Sequence, residues 1–191
     1  MKKCVIITAA GMSTRQKRNK LLIRSCHETI IEKTINNFIN IGLDIFVVVG
    51  HEKNKMKPIL EHRFRNDIEI VENNNYKTGI ASSIQAGISA AGDKYEYYGF
   101  CNGDKPFIKT ISIEKMIKYI DSKKPKILIP LFQDKIGHPT FFNSEYSEYF
   151  MNLSGDVGGI DIINKHPKSV TYLPIDDNGI TLDMDKYLDE K

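Results

Sequence analysis

The stretch "AAGMSTRQKRNKLL" (Ala9 to Leu22) gathers the kinds of group that hold a compact anion. Gly11 permits close backbone approach and the small-residue turn leaves amide N–H groups bare, while Ser13 adds a hydroxyl. Arg15, Lys17, Arg18 and Lys20 follow at once. The stretch lacks the second glycine and the Lys-Ser/Thr of a P-loop, and it lacks a G-x-G-x-x-G fingerprint. By residue type alone it reads equally as a phosphate cradle or as a solvated basic loop. Further along, "NGDKPF" sets Asp104 before Pro106, as a cation ligand or a turn carboxylate. "LDMD" offers Asp183 and Asp185, which share one side if the segment is extended. In "GHP", His138 is either a ligand contact or a strand-end histidine fixed by hydrogen bonding.

These groups need elements to position them. Short β-branched runs, "CVIITA" (4–9), "DIFVVVG" (44–50), "IEIV" (68–71), "YYGFCN" (97–102), "KILIPLF" (126–132) and "SVTYLP" (169–174), read as buried strands. Between them, residues 29–42 space Ile30, Ile31, Thr34, Ile35, Phe38 and Ile41 on one helical face, with Gly42 as a stop. Residues 81–91 and 111–120 show similar spacing, and Ser82 and Ser83 suit a helix N-cap pair. "GHPTFF" reads as a further, antiparallel strand. The alternation predicts an α/β fold, a mainly parallel sheet flanked by helices on both faces with a short antiparallel addition. No linker or repeat divides the chain, so a single domain over 1–191 is expected. Ligands of such sheets sit at the carboxyl ends of the strands, which places the basic loop and Asp104 at one site.

Bulk properties narrow the function. A net charge of +3, from 27 basic and 24 acidic residues, is too balanced for a protein that coats nucleic acid. No run approaches a membrane span, and "MKKCVIITAAG" is too short in its apolar part for a signal peptide. Cys4, Cys26 and Cys101 show no metal or disulfide spacing, and a reducing cytoplasmic setting is expected. His27, His51, His62 and His166 show no ligand spacing.

The pattern A-A-G-x-S-x-R, then K-L-L, resembles the opening signature of the nucleotidyltransferase superfamily, and within it the molybdenum cofactor cytidylyltransferase (MocA-like) group. "NNNYKTGIASSIQAG" is similar to N-x-x-Y-x-x-G-x-x-S-S, and "NGDKPFI" to G-D-x-P-x-(I/V). "GHPTFF", "LSGDVGG" and "LDMDKYLD" resemble G-H-P-x-x-(F/V), L-x-G-D-x-G-A-R and L-D-I-D-T-P-x-D, in family order over nearly the whole chain. The resemblance implies a Rossmann-like, GT-A-type fold and transfer of CMP from CTP to a phosphorylated acceptor, with pyrophosphate released.

The implied roles fall on matching positions. Arg15, Lys20 and Asp104 are the expected catalytic residues, and Ala9, Ala10, Gly11, Ser13, Asn73, Gly79, Ser82 and Ser83 the expected nucleotide contacts. His138 and Asp156 fall to the acceptor, and Asp104 with Asp185, or Asp183 in reserve, to Mg²⁺ or Mn²⁺. The acceptor implied first is molybdopterin-type cofactor, with a molybdenum enzyme as possible recipient of the product. Alternatives are a sugar or alcohol phosphate, or a non-catalytic nucleotide-binding accessory role. Ala10, where guanosine users carry glycine, suggests CTP through a methyl that would crowd a purine. The family glycine after the loop arginine is Lys17 here, its G-A-R ends in Ile160, and its T-P is Lys186 and Tyr187. The acceptor half thus departs most.

Overall fold

The computed structural model describes residues 1–12, 19–25 and 27–184, without the side chain of Ser25. In chain order the main elements are β1 (Lys3–Ala9), β2 (Arg24–Ser25), β3 (Glu28–Thr29), α1 (Ile30–Asn36), β4 (Asp44–Val49), α2 (Lys53–Phe64) and β5 (Glu69–Glu72). Then come α3 (Ile80–Ala91), β6 (Tyr97–Asn102), α4 (Thr110–Lys123), β7 (Ile127–Phe132), β8 (Lys135–Ile136) and β9 (Thr140–Asn143). The series ends with α5 (Ser147–Met151), α6 (Gly159–Lys165) and β10 (Val170–Pro174).

The central sheet runs β10-β7-β9-β6-β1-β4-β5, with β8 on β7, and β2 and β3 form a separate hairpin. β1 pairs in parallel with β4 and β6, as β4 does with β5 and β10 with β7. β9 is antiparallel to both its neighbours, β6 and β7, as "GHPTFF" predicts. β1 is apolar almost throughout because both its faces are covered. Val5, Ile7 and Ala9 join the core under α1, α2 and α4, whereas Cys4 and Ile6 join the core under α3, α5 and α6. Burial pushes the thiols of Cys4 and Cys101 well above their ordinary range, so both stay protonated. Cys26 lies outside the described residues.

The short β2, β3, β8, α5 and α6 have no counterpart in the sequence reading, and α1 and α2 differ from it more substantially. α1 opens on a reciprocal capping box, Thr29 with Glu32, but it ends at Asn36 rather than running to Gly42. Asn37 turns outward from the helix to donate to the Pro106 carbonyl at 3.3 Å, and Asn40 takes a left-handed φ of 62°. α2 has no counterpart in the sequence reading. Only Met56, Leu60 and Phe64 are buried, one row of an otherwise polar helix that also contains Pro58. Among the described residues no helix is long and apolar enough to cross a membrane.

Candidate active site

The carboxyl ends of β1, β4, β5 and β6 face one edge of the sheet, and the motif residues collect there. Gly103 follows β6 and donates its N–H to Thr8 O at 2.9 Å, while its carbonyl accepts the Thr34 hydroxyl at 2.9 Å. A Cβ on Gly103 would sit 2.9 Å from Ile31 Cδ1 and 3.2 Å from Thr8 O, so glycine eases the close approach of the turn to β1. The turn sets Asp104 over the strand ends. There its Oδ2 takes the Lys20 ammonium at 2.7 Å, with the two side chains 14% and 17% exposed. Lys20 starts a short 3₁₀ turn whose N-cap, Asn19, accepts from Leu21 N at 3.1 Å. Asp104 Oδ1 is buried with no hydrogen-bond partner.

Beside this pair, the Thr8 hydroxyl donates to Asn102 Oδ1 at 3.2 Å. Ala9 and Ala10 are each 1% exposed. The Ala10 methyl packs over Gly50, whose own Cβ would come within 2.8 Å of it. At 1% exposure the methyl is not presented to a ligand, so the expected crowding of a purine by it is corrected. Gly11 lies exposed beside the pair's strand end, while Ser13, Arg15, Lys17, Arg18 and Asp185 lie outside the described residues.

The expected base and ribose contacts form a network of their own. Asn73 Nδ2 donates to Ser82 Oγ at 2.9 Å and Ser83 Oγ at 3.0 Å, and its Oδ1 accepts from Asn75 N at 2.8 Å. Ser82 and Ser83 are not an N-cap pair, because α3 begins earlier, at Ile80. The Asp156 carboxylate instead accepts from Ile80 N at 3.2 Å, capping α3 across 76 residues of sequence. Gly79, with φ of 112°, brings α3 against the Gly155 backbone, where a Cβ would be 2.2 Å from Gly155 C. The structure thus joins Asn73, Gly79, Ser82, Ser83 and Asp156 in one corner and Lys20 with Asp104 in the next.

His138 satisfies its strand-end reading: Nδ1 lies 3.4 Å from Phe100 O, and its backbone N–H donates to Ile180 O at 2.9 Å. Its ring also lines a cavity with Thr8, Asn102 and Ile160. Burial first, then the Lys105 ammonium, push its pKa down to about 4, against an opposing pull from Phe100 O and the Asp104 and Asp183 carboxylates. Asp183 thus lies near enough to His138 to act on it, as Asp104 does. Lys105, only 5% exposed, is the residue that sequence reasoning missed. Its signal was available, since it fills the variable position of G-D-x-P with a cation.

The profile of the MobA-like NTP transferase domain matches residues 5–170. The molybdenum cofactor cytidylyltransferase of Escherichia coli (strain K12) is 29% identical over 136 residues, 70% of this chain. The chain spans 66% of the length of that relative. A nucleotidyl transferase from Methanothermobacter superposes with a TM-score of 0.81 at 18% identity, covering 99% of this chain and 95% of that one. Rv0371c from Mycobacterium tuberculosis, in a complex with manganese, gives a TM-score of 0.73 at 17% identity, covering 92% and 89%.

Proposed function

Because the chain belongs to the MobA-like NTP transferase domain family, we propose that it moves a nucleotidyl group from a nucleoside triphosphate to a phosphorylated acceptor, releasing pyrophosphate. The observation that carries this reading is the Lys20–Asp104 pair, 2.7 Å apart where β1 and β6 end, with Asp104 Oδ1 buried and unpartnered. A phosphomonoester has a second pKa of about 6 and is already ionised at pH 7, so the attacking oxygen needs no protein base. What remains is positioning and charge neutralisation. Lys20, and Arg15 in the loop outside the described residues, supply countercharge to the triphosphate, while Gly11 and Ser13 offer backbone and hydroxyl. Asn73, Gly79, Ser82 and Ser83 form the wall assigned to base and ribose.

Asp104 Oδ1 is a hard, unpartnered oxygen and fits Mg²⁺ or Mn²⁺. Among the described residues no group of three or more His, Cys, Asp or Glu side chains forms a complete metal site. A cation here would be held by one or two carboxylates, Asp104 with Asp183 or Asp185, and otherwise by phosphate oxygens and water. Bound there, the cation would spread the negative charge of the triphosphate.

CTP is the nucleotide favoured by the Escherichia coli relative. The same relative supports a molybdopterin-type acceptor. Ile160, standing where the family pattern has arginine, favours a sugar or alcohol phosphate instead. A non-catalytic accessory role has less support, since a simple binder has no need of Asp104. The test is pyrophosphate release with each NTP, a divalent cation and a panel of acceptor phosphates. CTP is expected to outperform GTP, and Lys20→Met to lower turnover by about two orders of magnitude or more. No pyrophosphate with any pair, or full activity in Lys20→Met, would sink the reading.

A further inference from the structure

A cavity of about 240 Å³ opens beside the Thr8–Asn102 pair, between the sheet, α3 and α6. Ile80, Ile84, Phe100, Ile136, Ile160 and Ile163 form its apolar walls. Polar side chains enter from Thr8, Asn102, His138 and Thr140, and no acidic or basic side chain is among the described residues that line it. Ile136 and Ile160 lie at its mouth, 46% and 50% exposed. Exposed aliphatics rimming a concave site are what an apolar ligand would cover. At under 300 Å³, the cavity is smaller than the roughly 300–1,000 Å³ that houses drug-sized ligands.

A cation stands near the cavity, though not among the residues that line it. Lys105 is 5% exposed, and among the described residues no hydrogen bond or ion pair holds its ammonium. It acts electrostatically on the His138 ring, a wall of the cavity, and on the buried Cys101 thiol. The Lys105 stem is buried but its ammonium nitrogen is not, so the cation is open to an anion that arrives from outside.

Resting on the nucleotidyl-transfer reading above, we propose that this cavity is the acceptor subsite, that Lys105 holds the acceptor's phosphate, and that the acceptor is the phosphomonoester of a compact apolar alcohol. An oxygen of that phosphate dianion bonds to the α-phosphorus of CTP. The bond from that phosphorus to the β-phosphate oxygen breaks, and pyrophosphate departs with the electron pair. No proton is transferred, and the total charge of −6 is shared between the product diphosphate, −2, and pyrophosphate, −4. Ile160 supplies apolar contact where an arginine would reward a polar or charged acceptor body.

The experiment uses the full chain with Mg²⁺ and CTP. Butyl phosphate and 3-methylbutyl phosphate are compared with glycerol 3-phosphate, glucose 1-phosphate and a molybdopterin-type acceptor, by pyrophosphate release. The alkyl phosphates are expected to show kcat/KM about tenfold or more above the polar acceptors, in the range a few buried methylenes provide. Better use of any polar acceptor overturns the subsite while leaving nucleotidyl transfer standing. Silence of every acceptor with every NTP overturns both. Lys105→Met should raise the acceptor KM about tenfold or more with the CTP KM unchanged, and Lys105→Arg should recover part of the loss. Because Met keeps the buried stem and removes no hydrogen bond or ion pair seen among the described residues, its Tm should not fall. Unchanged acceptor KM removes Lys105 from the subsite. Ile160→Arg, at a half-exposed position, is a second check: it should lower use of alkyl phosphates relative to polyol phosphates, and no change in that ratio counts against the apolar wall.

Discussion

The His138 ring is faced by Lys105, Asp104 and Asp183, and the cation and burial prevail over the two carboxylates. The pKa of about 4 in the folded chain stands below the ordinary 6.5 of the unfolded one. Between those values the unfolded chain binds the extra proton and the folded chain does not. Stability contributed by neutral His138 is therefore complete above pH 6.5 and is lost as pH falls toward 4, at up to about 1.4 kcal/mol per pH unit. Urea denaturation from pH 7.5 to 4.5 should show this slope, and His138→Gln should flatten it relative to the parent chain. Parallel profiles for the two would show that His138 titrates normally. In Lys105→Met the slope should also shrink, because the ring loses the cation that depresses it. At this scale the sequence was partly legible. Asp104, Lys20 and His138 could be picked from motif spacing, because their neighbours Gly103 and Pro139 fix the local chain. Lys105 was passed over because a lysine at the variable position of G-D-x-P reads by default as a solvated surface cation, and burial is not a local property. The tie from Asp156 to Ile80 N was missed too, since no local pattern announces it.

At the scale of elements, the corner of Asn73, Gly79, Ser82 and Ser83 depends on how α3 starts. Gly79 has φ of 112° and its missing Cβ leaves room for the Gly155 carbonyl carbon, 2.2 Å from where that Cβ would be. Gly42 also has a positive φ, 76°, but nothing lies within 4 Å of its would-be Cβ. Alanine at Gly42 should cost only about 1 kcal/mol of backbone strain. Alanine at Gly79 adds displacement of the Ser154–Asp156 turn, and with it the cap on Ile80, so about 2–4 kcal/mol is expected. Denaturant midpoints of the two variants check the contrast; equal losses would mean that the Gly155 contact yields freely. The legibility of elements followed their burial. β1 and β4 stood out because both faces are covered and nearly every residue is apolar. α2 was hidden because burial of Met56, Leu60 and Phe64 uses one narrow row, while Lys53, Asn54, Lys55 and Lys57 give its start the look of a polar loop. α1 was overextended because Phe38 and Ile41 keep the helical spacing after the backbone has left the helix.

For the whole molecule, β9 decides the arrangement. Inserted antiparallel between β6 and β7, it joins the parallel half that carries Asn73 and α3 to the half that carries His138. The C-terminal run is tied back in turn: buried Asp177 accepts from Lys109 N at 2.9 Å and Ser112 Oγ at 2.8 Å, starting α4. Ile180, also fully buried, then receives the His138 N–H and leads to Asp183. The two cores lie on opposite faces of the same strands, Ile7 in one and Ile6 in the other. Neither core can be kept once those strands separate, so a single domain over 1–191 should unfold as one cooperative unit. The chain has no tryptophan, which permits one reporter in each core. Phe64→Trp places it against α2 and Tyr146→Trp places it near α5, at positions 3% and 4% exposed. Fluorescence of either variant should give the same midpoint and slope as its own far-UV circular dichroism in urea. A midpoint in one variant that precedes loss of its helix signal would divide the chain into two units. The Lys20–Asp104 edge would then lie on the boundary of the α2 core, and CTP with Mg²⁺ would raise only that transition.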